Sequence, residues 1–209
     1  MRVAPILAAT AIVLASRSAG ADGFEIAAML GYAMPLGSAE RGSQISDTTF
    51  GQVPFAIEAG YRLTSIVGVV ARALVGVGIP TQCVTLAECE SSLGSDVSFT
   101  LGARFFLPRI GPVEPIADAG LGYEWLTAKL ADGDATSTRA YHGPVLLSLE
   151  LAAPFSLGRR WTLGPMLGVS IGRFTSYALE TNALSPSGAV PNGTWHGWLS
   201  VGIRAGLSL

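Results

Sequence analysis

The sequence predicts an all-β fold, an eight-stranded antiparallel up-and-down transmembrane β-barrel, and three observations support this prediction. Eight stretches of roughly ten residues place apolar side chains on every second position. The connections between these stretches alternate between long and short, beginning with a long one. The chain is 49% hydrophobic, yet it contains no apolar run of the roughly 20 residues that a membrane-spanning helix needs. If the chain enters a bilayer, we expect it to do so as strands.

The first 21 residues differ from the rest and predict a secretory signal peptide at 1–21, followed by one barrel domain at 22–209. Arg2 supplies a positive start, 3–15 form an apolar stretch, and small residues at 19–21 provide a cleavage site. A retained anchor helix is the alternative, but the apolar stretch is short for one. Export through the Sec pathway follows from this interpretation.

The first four strands share one pattern, in which large apolar side chains face one way and glycine or charged side chains face the other. In the first strand, for example, Ile26 and Leu30 lie opposite Ala27 and Gly31. A tight turn is expected at 64–66 between the second and third strands. The spans are 24–33, 55–63, 67–77 and 97–107, and the charged inward side chains are Glu25, Glu58, Arg62, Arg72 and Arg104.

The last four strands continue the alternation. In the sixth strand Tyr141 and Val145 are expected to face outward, with His142 and Leu146 facing inward; His196 of the eighth strand is also expected inside. Short turns are expected at 108–112 and 154–160. The spans are 113–125, 141–151, 161–172 and 196–209, and the charged inward side chains are Glu114, Asp118, Glu124, Glu150 and Arg204.

The outward aromatic side chains fall into two groups, as expected for girdles at the two lipid headgroup levels. Short turns are typical of the periplasmic side and long loops of the cell surface, which assigns 34–52, 79–95, 127–139 and 175–194 to the surface. The girdle near the short turns contains Phe24, Tyr61, Phe105 and Trp161, and the girdle near the long loops contains Tyr32, Phe55, Tyr123, Trp125 and Tyr141.

Two other classes of protein fit the pattern less well. A soluble barrel such as a lipocalin also alternates, but it would have to show water its polar face, and here the continuous face is apolar. Basic side chains are few and scattered, with Lys129 the only lysine, so the electrostatic footprint of a nucleic-acid binder is missing. We therefore expect no nucleic-acid partner.

On these patterns the chain resembles the small eight-stranded outer-membrane β-barrels of Gram-negative bacteria, similar to the membrane domain of outer-membrane protein A and to porin-family barrels. The last strand resembles that family's C-terminal assembly signal in its alternate apolar residues from Leu199 to Leu207, although Leu209 stands where a terminal aromatic is usual. The resemblance implies an outer-membrane location, contact with lipid and lipopolysaccharide, and delivery by periplasmic chaperones to the barrel-assembly machinery.

The ten inward charged side chains predict how the interior is filled. An eight-stranded barrel is just wide enough for side chains, and buried charges must be paired. A tight turn at Ser65 sets residues whose numbers sum to 130 opposite one another, which pairs Glu58 with Arg72. Either the ions close the lumen and the protein is structural, or a switched ion pair opens a narrow channel for ions or small solutes.

Remaining motifs give little sign of catalysis. Cys83 and Cys89 lie in one long loop of an exported chain, which favours a disulfide over two free thiols or a metal site. The family includes enzymes that modify lipid A with a histidine near a serine or acid, but neither His142 nor His196 has such a neighbour in sequence. We expect no enzyme activity, cofactor or metal, and a structural or surface-interaction role with an unidentified surface ligand.

Overall fold

The computed structural model describes residues 23–40, 43–47, 49–80, 94–132, 135–180, 187–190 and 193–209. Eight long strands dominate these ranges, and no helix among them is long and apolar enough to cross a membrane. The strands are β1 (Phe24–Glu40), β2 (Thr49–Arg62), β3 (Val67–Pro80), β4 (Ser95–Phe106), β5 (Ile116–Asp132), β6 (Ala135–Ala152), β7 (Trp161–Arg173) and β8 (Trp195–Ser208). Shorter elements are the strands Ser43–Gln44, Phe155–Leu157, Ser176–Glu180 and Ser187–Ala189 and the 3-10 helix Ile45–Asp47.

The eight strands close into an antiparallel barrel. Each strand pairs with the next along the chain, and β8 returns to pair with β1 from Glu25↔Ser208 to Gly37↔His196. Closure leaves no long strand with an unpaired edge, which is what a sheet surrounded by lipid requires. The predicted fold class is confirmed.

The side-chain alternation separates two environments. Outward leucines such as Leu30, Leu101 and Leu121 are 58%, 68% and 62% exposed, whereas inward Glu58 and Arg104 are each 1% exposed. A wall of exposed apolar side chains around a charged interior is stable only where lipid surrounds the barrel. The polarity excludes the soluble-barrel alternative.

Strand β6 contains a β-bulge, and because of it the sequence predicts four side-chain directions wrongly. Gly120 pairs with Ser148 and Gly122 with Val145, so β6 carries one residue more than β5. Both leucines of the bulge face outward, Leu146 being 42% and Leu147 38% exposed. The extra residue reverses the alternation beyond it. The corrected directions are Tyr141 and Val145 inward and His142 and Leu146 outward.

Two predicted surface connections, 34–52 and 127–139, are largely strand. β1 runs to Glu40 and β2 begins at Thr49, while β5 and β6 are separated only by 133–134. Beyond the apolar wall neither face has to meet lipid, so the period-two pattern fades although the hydrogen-bonded ladder continues. The predicted strands are therefore shorter than the observed ones at this end of the barrel.

Three compact connections close the other end of the barrel. Between β2 and β3, the Leu63 and Thr64 amides donate to Val67 O at 2.9 Å. The connection from β4 to β5 spans 107–115, and the one from β6 to β7 includes Phe155–Leu157 paired with the start of β7. We call this side the short-turn end and the opposite side the long-loop end.

Paired inward glycines let the narrow barrel curve. Gly102 lies directly opposite Gly120, and a Cβ added to Gly102 would lie 2.3 Å from Ala119 O and 2.7 Å from Gly120 Cα. Alanine at this position would push β4 and β5 apart. The close approach leaves the interior volume to the charged side chains.

Candidate functional site in the barrel interior

The barrel interior contains a group of seven ionisable side chains, here called the ion cluster, in the half nearer the short-turn end. Each of the eight strands except β7 contributes one member. Cross-strand register places several members directly opposite one another, including Glu58 and Arg72 as the sequence predicts. The members are Glu25, Glu58, Arg72, Arg104, Asp118, Glu150 and Arg204.

Each arginine of the ion cluster bridges at least two carboxylates. Arg72 donates to Glu58 at 2.9 Å, forms an ion pair with Glu150 at 2.9 Å, and also reaches Asp118 Oδ2 at 3.3 Å. Charge-assisted contacts in this distance range are among the strongest protein hydrogen bonds. Bridging joins the strands across the lumen as well as along the wall.

The other two arginines complete the cluster from opposite sides. Arg104 donates to Glu25 at 2.9 Å and Asp118 at 2.7 Å and also contacts Glu58. Arg204 donates to Glu25 at 2.9 Å and to Glu58 at 2.7 Å. Glu58 therefore accepts from three guanidinium groups while being 1% exposed. Loss of one partner would leave a buried charge uncompensated.

Two of the predicted interior ions, Arg62 and Glu114, lie apart from the ion cluster. Arg62 Nη2 donates to Glu114 Oε1 at 2.9 Å at the short-turn end, where Arg109 also reaches Glu114 at 3.3 Å. The guanidinium of Arg62 stacks over the Phe106 ring, 3.5 Å from its centroid. Burial raises the pKa of the Glu114 carboxyl, but hydrogen bonds from Arg62 and Arg109 outweigh burial and hold that pKa below its usual value.

A second buried polar group, here called the acid–histidine cluster, lies toward the long-loop end. Glu124 accepts from Trp198 Nε1 at 2.9 Å and contacts His196 Nε2 at 2.8 Å. Gln52 Nε2 donates to Asp96 Oδ2 at 2.9 Å, and the Asp96 carboxyl interacts directly with Glu124. Glu124 was predicted inside, but its partners lie in this cluster and not in the ion cluster.

Asp96 and Gln52 were missed by sequence reasoning. The fourth predicted strand began at Val97, although extending the alternation by one residue places Asp96 inside. Gln52 lies in 34–52, which the sequence predicts as a surface loop. Both errors follow from ending the strands too early.

Apolar side chains cover the acid–histidine cluster on its long-loop side. The Phe174 ring stacks on His196 with centroids 3.7 Å apart, and Tyr141 lies 5.5 Å from Phe174. Ile45 of the 3-10 helix and Val190 come from outside the eight strands. We call this group the apolar cap; its buried members are Ala33, Ala39, Ile45, Leu126, Tyr141, Phe174, Val190 and Trp198.

Between the ion cluster and the acid–histidine cluster lies a cavity of about 70 Å³. Arg72 and Glu150 reach it from one cluster, and Asp96, Glu124 and Trp198 reach it from the other. The remaining wall combines hydroxyl-bearing residues with a larger number of apolar ones, such as Leu74 and Met166. A cavity of this size has room for a few water molecules or a small ion.

The carboxylates of Glu58, Asp118 and Glu150 lie as close together as metal ligands do, with one oxygen of each within 4.8 Å of the others. Glu58 and Asp118 each accept from at least two arginines, so their charge is already neutralised. Glu150 forms an ion pair with Arg72 alone in the described part of the chain. The three carboxylates together form an ion-pair lattice and not a cation cage.

Solved structures of outer-membrane proteins have the same architecture. Neisserial surface protein A matches with a TM-score of 0.51 at 18% identity, over 91% of this chain and 100% of that chain. A major outer membrane protein from Thermus thermophilus matches with a TM-score of 0.55 at 16% identity, over 88% of this chain and 99% of that chain. The chain has the fold of a small outer-membrane β-barrel. At these identities the similarity concerns the fold alone. No protein-family profile and no curated protein sequence matches the chain.

On this outer-membrane-type barrel, the remaining predicted residues occupy several places. Phe24 and Tyr61 are paired across β1 and β2 near the short-turn end, and Tyr123 packs 4.6 Å from Trp125 nearer the long-loop end. The residues on the outer wall are Phe24, Tyr32, Phe55, Tyr61, Phe105, Tyr123, Trp125 and Trp161. Tyr141, predicted in the same girdle, is 7% exposed and belongs to the apolar cap because of the β6 bulge. The predicted disulfide (Cys83, Cys89) and signal peptide lie outside the described residues.

The bulge also brings His142 to the outer wall. Its Nδ1 lies 2.7 Å from Tyr123 Oη, and it pairs directly with Trp125 on β5. On its other side His142 lies opposite Ser176 in the ladder with Ser176–Glu180. Side chains directly opposite in a ladder share a face. Sequence spacing could not reveal this pair, because Ser176 comes from another strand.

Proposed function

We propose that this chain is an integral outer-membrane protein with a closed lumen and a structural or surface-interaction role. The observation that carries the proposal is the double obstruction of the interior, by the ion cluster in one half and by the apolar cap in the other. An eight-stranded barrel has no space for a pore beside these side chains. Function then lies on the exposed surface, where loops vary most readily.

The proposed setting follows from the outer wall. Its apolar side chains meet lipid, and its aromatic groups lie where headgroups and lipopolysaccharide would be. Export by a signal peptide through the Sec pathway, and insertion by periplasmic chaperones and the assembly machinery, complete the proposal. The long-loop end would then face the outside of the cell.

Planar-bilayer recording tests the closed lumen against the narrow-channel alternative. We expect no unitary conductance from the refolded chain, because ions would have to pass both obstructions. Arg72→Ala combined with Glu58→Ala loosens only the ion cluster, and the apolar cap should keep that variant silent as well. Regular single-channel steps from the unaltered chain would contradict the proposal.

The outward pair of His142 and Ser176 supports a second candidate, a lipid-directed hydrolase. Tyr123 fixes the His142 ring, and the serine lies across the ladder from it at the expected headgroup level. The described contacts of His142 do not include a hydrogen bond to Ser176, which favours the surface role over the enzyme.

Mass spectra of lipid A from cells that express the chain decide this second candidate. The candidate would be established if the unaltered chain removes an acyl chain from lipid A and neither His142→Ala nor Ser176→Ala does so. Identical spectra from cells with and without the chain would remove it. His196→Ala is the control, since His196 is buried inside the barrel.

A further inference from the structure

The ion cluster does not balance its own charge. It contains four carboxylates, from Glu25, Glu58, Asp118 and Glu150, and three guanidinium groups. With all members ionised, one negative charge is left over inside the barrel. A buried charge without a counterion costs several kcal/mol, so something must neutralise it.

The surplus charge is located at Glu150. Among the described residues, Glu58 forms ion pairs with three arginines, and Glu25 and Asp118 with two each, whereas Glu150 forms one with Arg72 alone. Glu150 Oε2 lies 2.9 Å from Arg72 Nη1, and Glu150 Oε1 is buried without a hydrogen-bond partner in the described part of the chain. The residue is 4% exposed, so bulk solvent does not satisfy that oxygen.

The cavity of about 70 Å³ adjoins Glu150, and within its mixed polar and apolar lining it offers oxygen ligands. Gly168 helps to keep this space open, because a Cβ there would lie 2.6 Å from Ser200 Oγ and 4.0 Å from Glu150 Oε2. Carboxylate and hydroxyl oxygens are the ligands that hard cations prefer. The hydroxyl-bearing residues around the cavity are Ser98, Thr100, Ser148, Ser170 and Ser200.

We propose that this cavity binds one small monovalent metal cation, of the size of sodium, with Glu150 Oε1 as its charged ligand and the lining hydroxyls completing its shell. One positive charge balances the surplus of the ion cluster, so a monovalent ion fits. The other two carboxylates on the cavity wall, Asp96 and Glu124, hydrogen-bond within the acid–histidine cluster. The cation ties the ion cluster to the serine-lined strands β4, β6, β7 and β8. It is a resident ion and not a permeating one, so the site is independent of whether the lumen conducts.

Urea unfolding of the full chain in detergent micelles, followed by tryptophan fluorescence, tests the site. Sodium chloride is compared with N-methylglucamine chloride at equal ionic strength and pH 8, since the organic cation is too large for the cavity. A ligand that binds only the folded state stabilises it in proportion to ln(1 + [L]/Kd), so each tenfold rise in sodium above Kd lowers the unfolded-to-folded ratio about tenfold. Equal midpoints in the two salts would overturn the proposal and assign the neutralising role to a proton on Glu150.

Two variants assign the effect to the cavity. Glu150→Gln should remove the sodium dependence, whereas Glu114→Gln, the same substitution at the short-turn end, should keep it in full. If Glu150→Gln does not fold, Ser148→Ala with Ser200→Ala removes two hydroxyl ligands and should weaken sodium binding at unchanged charge. Equal sodium dependence in the serine variant and the unaltered chain would count against the site.

Crystals of the full chain grown in sodium chloride give a direct image of the site, because a bound sodium ion lies closer to its oxygen ligands than a water molecule lies to its hydrogen-bond partners. Such crystals should show a peak at ion-ligand distances from Glu150 Oε1 and the lining hydroxyls, and this peak should be absent from Glu150→Gln. A cavity filled only by water in these crystals would overturn the proposal. Neither crystallographic result changes the expected absence of conductance in planar bilayers. The sodium site and the closed lumen can therefore be disproved independently of each other.

Discussion

Glu58 holds the ion cluster together, because no other carboxylate in it is shared by three arginines. Its neighbours come from β3, β4 and β8, so one side chain on β2 couples strands on different sides of the barrel. Sequence alternation placed Glu58 inside, and the register of the β2–β3 turn placed it opposite Arg72. The contacts to Arg104 and Arg204 cross the lumen, which a strand-by-strand analysis does not address.

We expect Glu58→Gln to lower the free energy of unfolding by about 3–5 kcal/mol, because it leaves buried guanidinium groups without their shared partner. Urea titration of the refolded chain in lipid vesicles measures the change. Glu114→Gln, whose side chain is partly exposed, should cost less than about 1 kcal/mol. Similar losses in both variants would show that the ion cluster contributes no more than a surface ion pair.

The lowered pKa of Glu114 at the short-turn end predicts that the stability of the folded state depends on pH. Arg62 and Arg109 lower the pKa of its carboxyl from the ordinary value of 4.5, with burial acting in the opposite direction. A lowered pKa stabilises the folded state at pH values above the unfolded-state pKa, and this contribution is lost as pH falls through the lowered folded-state pKa. The difference in unfolding midpoint between the unaltered chain and Glu114→Gln should thus be constant above about pH 5 and shrink below it. A difference that grows on acidification would refute this assignment.

Among the elements, β6 departs most from its sequence pattern. Leu146 and Leu147 are adjacent apolar residues, so the sequence offers no change of polarity to show where the alternation shifts. The bulge is visible only as a mismatch in the pairing with β5 and β7, and the sequence of β6 alone does not contain that pairing. Strands without such an insertion were assigned to the correct faces because their polarity alternates without a break.

Cysteine labelling tests the direction of β6 in a background with Cys83→Ser and Cys89→Ser. Tyr141→Cys should stay protected from maleimide in the folded barrel, because the side chain lies in the apolar cap. His142→Cys, one residue away, should react, because it lies on the outer wall beside Ser176. The reverse order of reactivity would restore the unbroken alternation that the sequence predicts.

At the scale of the whole molecule, the sequence was sufficient for strand number, closure and the lipid-facing side, because lipid contact imposes period-two alternation on all eight strands. It was insufficient for the apolar cap, whose members Ile45, Phe174 and Val190 lie outside the long strands. The sequence predicts only part of the acid–histidine cluster, because the alternation places Glu124 and His196 inside the barrel but the predicted strands do not reach Asp96 and Gln52.

The closed barrel predicts heat-modifiable migration on gels. An unboiled sample in detergent should stay folded and run ahead of a boiled one, because the closed sheet resists detergent until heat breaks its ladder. Gel electrophoresis of the refolded chain measures the shift. Identical migration with and without boiling would argue against closure between β1 and β8.

The contacts among Arg204, Glu25 and Glu58 have a consequence for the order of folding. Arg204 belongs to β8, whereas its carboxylate partners belong to β1 and β2, near the opposite end of the chain. A sheet that has not yet joined its first and last strands therefore holds the four carboxylates of the ion cluster against two guanidinium groups. Insertion of the final strand adds the third guanidinium and closes the barrel in the same step. We therefore expect the completed barrel to dissociate more slowly than a sheet that still lacks β8.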